Sequence, residues 1–396
     1  MNDLNPLAAV RAVEPYPYYA RLVADRPFHR DETLGMWVAA GAQAVEAVLS
    51  STVMRVRPAS EPVPKAIAGT PMAGVFARLV RMTDGDHQVT VKDAAVAAFD
   101  PPAIADLAAV SERCADMLLQ GVSVDDPEGL ATFVFSLSPV VIATALGLSL
   151  DDARQAAAWT RDFVRSVTPG SSGEEVARGI PATGALIAAL RAVLAKPQPG
   201  GSLFGTFVDE GRRRRVDDAD IIANALGFLS QGYDATAGLI GNTLVALANN
   251  ASELRGSVGE DANLLECVVA EVARYDAPVQ NTRRFAAADT TVLGEKVQDG
   301  DAVVVVFAAA NRDPWANPDP DRFDLNRKDR RTYTFGMGSH ACPGARVATT
   351  IARTGVSRLL ASGINLQAFA APRYRPSLNA RIPDFASAYD SVGDRT

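Results

Sequence analysis

The sequence is short of cysteine, histidine and positive charge, and each shortage excludes something. Three cysteines without paired spacing supply neither a disulfide framework nor a zinc-finger signature. Lys and Arg total 39 against 46 Asp and Glu, a formal charge of −7. Nucleic acid and anionic membrane are therefore not expected partners, since both need a positive field. Apolar runs such as residues 302–310 fall far below the roughly 18 residues of a membrane span. Met1-Asn2-Asp3-Leu4-Asn5-Pro6 has no basic stretch leading into an apolar one, so no secretion signal is read there. Repeats and low-complexity linkers are also missing. A soluble, cytoplasmic, monomeric protein is the expectation.

What is present is mostly helical. Apolar residues recur at helical spacing over residues 103–119, 151–167 and 182–194. Pro101-Pro102, Pro169-Gly170 and Pro197-Gln198-Pro199-Gly200-Gly201 punctuate them. Strands are expected at 36–40, 290–294 and 301–306, the last two divided by Asp299-Gly300. The pattern predicts a mostly α chain with a small β-rich portion, a single domain over residues 1–396. Its strand-rich N-terminal part is placed at about 28–60 and its helical part at about 100–360. From Asp217 to about Asn250 no proline interrupts a segment that is apolar on more than one face. Such a helix spans on the order of 50 Å and crosses the core. Its centre, Ser230-Gln231-Gly232-Tyr233-Asp234, is polar, and buried polar groups need partners or a cavity. A close helix crossing at Gly232 is one reading; a ligand against a locally opened turn is the favoured one.

Cys114 and Cys267 lie in helical patterns and read as packing residues. Cys342 differs. It sits in Phe335-Gly336-Met337-Gly338-Ser339-His340-Ala341-Cys342-Pro343-Gly344, followed by an Ala- and Val-rich helix. The glycines permit a tight turn, and the helix start brings positive dipole close to sulfur. Pro343 removes a donor where the first helical turn has N–H groups to spare. A thiolate metal ligand fits this combination.

The stretch resembles the haem-binding signature of the cytochrome P450 family: Phe, two residues, Gly, three residues, Cys, one residue, Gly. The match falls on Phe335, Gly338, Cys342 and Gly344. The resemblance implies a triangular helical prism with a long central distal helix, haem b held by Cys342, and dioxygen as co-substrate. His340, Arg284, His87, Lys92, Phe335, Gly336 and Gly232 become candidate haem contacts. Glu271-Val272-Ala273-Arg274 matches the family's Glu-x-x-Arg, and Pro320-Asp321-Arg322-Phe323 resembles its meander. Glu271, Arg274 and Arg322 are then expected to form one buried structural network. The pocket would draw on residues 67–76, Leu229, Tyr233, Ala235, Val279, Gln280, Asn281 and residues 378–382. The polar members favour a hydroxyl- or amide-bearing metabolite over a plain hydrocarbon.

Two departures from the family stand out. Its distal helix usually reads Ala/Gly-Gly-x-Asp/Glu-Thr-Thr; here the aligned residues are Gln231-Gly232-Tyr233-Asp234-Ala235-Thr236. Asp234 is kept, but Ala235 replaces the hydroxyl that helps deliver protons; Thr236, turned about 100° on a regular helix, reaches the site only if the helix is distorted, and it joins Cys342, Asp234 and Ala235 as a catalytic candidate. Second, His87 lacks the arginine four residues on; Lys92 is its candidate substitute. The resemblance implies a monooxygenase that hydroxylates a small, secondary metabolite with electrons from a separate ferredoxin and ferredoxin reductase. Arg327, Lys328, Arg330, Arg331 and Arg346 are candidate docking charges for the carrier. Rival readings are haem-thiolate chemistry without hydroxylation (peroxide-driven oxidation, coupling or rearrangement) and a non-catalytic haem-binding protein.

Overall fold

An acidic start and an uninterrupted apolar sequence dictate the central element. The Asp217 carboxylate accepts from the Asp220 N–H at 2.7 Å and caps the N-terminus, while Asp218 and Asp220 sit at the positive dipole end. In the computed structural model, which describes residues 4–99, 101–250 and 262–386, the helix runs unbroken over Asp218–Asn249. At 1.5 Å per residue it is about 48 Å long. Helices Pro127–Ala145, Leu150–Val167, Gly173–Leu194, Ala262–Tyr275 and Ala345–Ala361 pack against it. A side chain at Gly355 would meet Leu137 Cδ2 at 2.7 Å and Ile240 Cδ1 at 3.1 Å. The helix after Cys342 is thus pressed onto the central helix at a point with no room for a methyl group.

The helix expected at 182–194 begins earlier, at Gly173. Ser172 and Glu175 form a reciprocal capping box there, and Pro181 is accommodated inside. Helices Pro127–Ala145 and Gly173–Leu194 are long and apolar enough to cross a membrane, because helices tolerate polar interruptions that a search for apolar runs does not. Pro127–Ala145 is largely buried within the helical body.

The strands correct two expectations. One sheet orders β1 (Phe28–Asp31), β2 (Met36–Ala39), β7 (Ala302–Val305), β4 (Thr282–Ala286) and β3 (Met54–Arg55) as β1-β2-β7-β4-β3. The strand-rich part is therefore composite rather than N-terminal: β2 pairs in parallel with β7, Trp37 opposite Val303. β5 (Thr290–Val292) pairs with β6 (Glu295–Val297) in a separate hairpin. The strands on either side of Asp299-Gly300 thus belong to different sheets. Leu293 and Gly294, both at positive φ, make the β5–β6 turn.

Candidate active site

The Cys342 loop is held by its own backbone. Gly336 and Gly338 adopt φ of +66° and +65°, the left-handed region that glycine enters without strain. The Gly336 N–H donates to Tyr333 O, and the Cys342 N–H donates to Phe335 O, both at 2.7 Å. A side chain at Gly338 would meet Leu49 O at 3.0 Å, so the loop lies directly on its neighbouring helix. Helix Ala345–Ala361 starts with Gly344 as its N-cap, which leaves Pro343 just outside it. The Cys342 side chain is open on one face. The dense protein on its other sides pushes the thiol up; the Gly344 amide and the Lys92 charge pull it back.

Asp84 links the loop to a basic side chain: it meets His340 and acts on the charge of Arg284. Arg284 on β4 is buried, donates to Arg283 O at 2.8 Å, and has no carboxylate ion-pair partner among the described residues. Burial holds its pKa below the usual guanidinium value, with Asp84 opposing. Arg81 went unnoticed in the sequence. Its Nε is buried without a hydrogen-bond partner, and burial pulls the group down to about 10. Its signal was an arginine between Val80 and Met82 in an apolar stretch. His340 Nε2 lies 3.1 Å from Asp84 Oδ1. The buried Arg284 and the half-buried Arg81, neither with a counter-anion among the described residues, fit a ligand that carries carboxylates, as haem does.

Two candidates point elsewhere. His87 Nε2 lies 3.3 Å from Asp220 at the start of the central helix. Lys92 Nζ donates to Ser339 O at 2.5 Å and Ala341 O at 2.6 Å, so it grips the backbone of the Cys342 loop.

The central helix presents two different faces. Gln231, Asp234 and Ala235, at i, i+3 and i+4, share one face and remain open or half-buried in a helix whose residues 221–230 are all buried. Burial raises the Asp234 carboxyl above its usual range, while Arg375 and Arg165 oppose the rise. Gly232 and Thr236 look away from that face. A side chain at Gly232 would meet Ser138 Oγ at 2.5 Å on helix Pro127–Ala145, so the glycine marks a close crossing, not an opened turn against a ligand. Thr236 Oγ1 is buried there without a partner. The helix stays regular, so Thr236 is turned from the face that carries Asp234 and Ala235, and the close approach of Ser138 sets the position of Gly232.

The expected network is corrected in one member. Arg274 Nη2 meets Glu271 Oε1 at 2.7 Å, both side chains fully buried. Arg322 is exposed and gives only its carbonyl, which accepts from Arg274 at 3.1 Å. Arg330 Nε meets Glu271 Oε2 at 2.9 Å, and Arg327 lies 3.6 Å from Oε1. The meander's path turns Arg322 outward and brings in the two arginines that the sequence assigned to carrier docking. Arg331 lies over the Trp315 ring and stays exposed, as do Lys328 and Arg346 from that set.

The polar pocket set is also corrected. Gln280 donates to Ala277 O at 2.7 Å and Asn281 to Leu378 O at 2.9 Å, both buried. The Asn281 side chain and the Gln280 backbone N–H, which donates to Asn379 O at 2.8 Å, fasten the segment around residue 380, where Val279 bridges Ala380. Tyr233 packs its ring 5.3 Å from Phe135, its phenol pushed up to about 12 by burial and then by Asp234. Leu229 is core.

Comparison with known proteins agrees with this geometry. A family model described as Cytochrome P450 matches residues 258–362. Over 297 residues the chain is 30% identical to Cytochrome P450 107B1 of Saccharopolyspora erythraea, covering 73% of this chain and 71% of that one. It is 32% identical over 253 residues to the Vitamin D(3) 25-hydroxylase of Pseudonocardia autotrophica, covering 62% and 61%. The crystal structure of CalO2 superposes with a TM-score of 0.82 at 25% identity over 97% of each chain.

Proposed function

This chain belongs to the cytochrome P450 family and is a monooxygenase, and on that premise we propose that it binds haem b through Cys342 and hydroxylates a small secondary metabolite. The observation that carries the reading is the Cys342 loop: one open sulfur, fixed by left-handed glycines and a helix start, with the buried Arg284 left without a carboxylate ion-pair partner among the described residues. Haem bound there supplies thiolate-assisted cleavage of the O–O bond and transfer of one oxygen atom into a C–H bond. The balance is substrate, dioxygen, two electrons and two protons giving hydroxylated product and water.

The chain's own residues divide the remaining work. Arg81, Arg284 and His340 hold the porphyrin carboxylates. Asp234, its carboxyl pushed above the usual carboxylate range by burial, is the acidic group on the face of the central helix that carries Ala235. Ala235 contributes no hydroxyl, so the proton passes through water or a substrate hydroxyl. Electrons come from a separate ferredoxin with its reductase, in the cytoplasm, to a monomer. With the side-chain N–H groups of Gln280 and Asn281 given to backbone carbonyls, the donors left for a polar substrate are fewer, while the buried Gln280 Oε1 has no partner among the described residues.

Purified wild-type protein reduced under carbon monoxide should give the red-shifted band of a thiolate-ligated haem, and Cys342→Ser should lose it. Retention of that band by the variant would overturn the assignment. A second reading, oxidation without oxygen insertion, rests on Ala235. Turnover under labelled dioxygen separates the two: label in the product supports hydroxylation, and unlabelled product supports the alternative.

A further inference from the structure

Helix Asp86–Ala98 closes on the Cys342 loop through two side chains one turn apart. Gln88, buried, donates from Nε2 to Ser339 O at 3.0 Å. Lys92, at i+4, donates to the same carbonyl at 2.5 Å and to Ala341 O at 2.6 Å. The Ala341 carbonyl belongs to the peptide whose N–H is that of Cys342, and this N–H donates to Phe335 O at 2.7 Å. Lys92, the 341–342 peptide and Phe335 therefore form a hydrogen-bond chain in which each member polarises the next. Lys92 is also the side-chain charge that acts on the Cys342 sulfur.

We propose that Lys92 is a positioning residue for the iron ligand: from helix Asp86–Ala98 it grips the carbonyls at 339 and 341 and sets a fixed positive charge behind the Cys342 sulfur, raising the reduction potential of the bound iron. The inference rests on Cys342 being that ligand. Reduction adds an electron to the iron–thiolate unit, and a nearby cation favours the more electron-rich state. Position 91, four residues after His87, holds valine. The cation of this helix is instead Lys92, held on the carbonyls of the Cys342 loop, where its charge acts on the sulfur. Gln88 shares the grip without the charge, which separates the two roles experimentally.

The test uses haem-loaded protein without substrate: wild type, Lys92→Met, Lys92→Gln, Lys92→Arg and Gln88→Met, each titrated spectroelectrochemically. Lys92→Met should shift the ferric–ferrous equilibrium toward ferric about tenfold, roughly 59 mV for one electron. Lys92→Arg should recover most of that shift, and Gln88→Met should leave the potential near wild type while hastening loss of the thiolate-type carbonyl band. Lys92→Gln, which keeps a donor to the loop, should show the same shift as Lys92→Met and stands in if the latter fails to hold haem. Equal potentials for wild type and the neutral variants overturn the proposal, as do equal shifts in the methionine and arginine variants, which indicate packing and not charge. If wild type itself lacks the thiolate-type band, the ligand assignment fails first. If it has the band and the potentials do not move, only the role of Lys92 fails.

Discussion

At Gly232 a missing methyl group sets the distance between two helices. A Cβ there would lie 2.5 Å from Ser138 Oγ, so Gly232→Ala should cost about 1–3 kcal/mol of stability, measured by denaturant unfolding. Adding Ser138→Gly, which removes the opposing atom, should return part of the loss; no recovery would show that the strain lies elsewhere. Asp234 makes a prediction in pH. Burial raises its carboxyl, so the folded state penalises the charged form. That penalty is absent below the ordinary carboxylate range, near about pH 4, and grows as pH rises through the raised value. Asp234→Asn should therefore melt higher than wild type at neutral pH and equal to it in acid. A difference independent of pH would count against the burial argument.

Single residues were unevenly legible in the sequence. The Cys342 loop could be read in full because its parts are contiguous and its glycine conformations follow from spacing. Gly232 was misread as an opened turn, because the deciding atom, Ser138 Oγ, sits on another helix. The orientation of Thr236 hung on whether the helix is distorted, which spacing alone leaves open; the helix proves regular.

Among elements, the buried ion pair braces the meander against helix Ala262–Tyr275. Burial would raise Glu271, but Arg274, the Asp324 amide and Arg330 outweigh it and hold the carboxyl below its usual range. A depressed folded-state pKa gives stability that is present above the ordinary carboxylate range and lost as pH falls through the lower value. Glu271→Gln should lose about 3–5 kcal/mol at neutral pH, because Arg274 is left buried and unpaired. Its stability should also fall less steeply in acid than that of wild type. A parallel acid profile would show that Glu271 does not carry the linkage. The helical half of this pair was legible from i, i+3 spacing. Arg330 was not, because the path of the chain after Pro320 decides which arginine turns inward.

On the scale of the whole molecule, the two ends of the described chain meet at Arg381. Its guanidinium pairs with Asp276 at 2.8 Å and donates to the carbonyls of Val10, Ala12 and Val13. Tyr16 adds a hydrogen bond to Asp276 at 2.7 Å. Arg381→Met should free the first segment, seen as rapid proteolysis within residues 4–14 while the carbonyl spectrum persists; wild-type resistance would mean that apolar packing alone holds it. None of this clamp was visible beforehand, since its members lie hundreds of positions apart and carry no local pattern. The helical class was visible, because periodicity is local; the mixed ancestry of the sheet was not.

That mixed ancestry bears on biosynthesis. Trp37 waits for Val303, 303 − 37 = 266 positions later, before β2 gains its parallel neighbour. At roughly 5–20 residues per second the ribosome leaves that strand's bonding edge bare for about 13–53 s. A nascent chain with an open β edge for so long is a natural client for holding chaperones, and slowing translation after the first hairpin should lower the soluble yield.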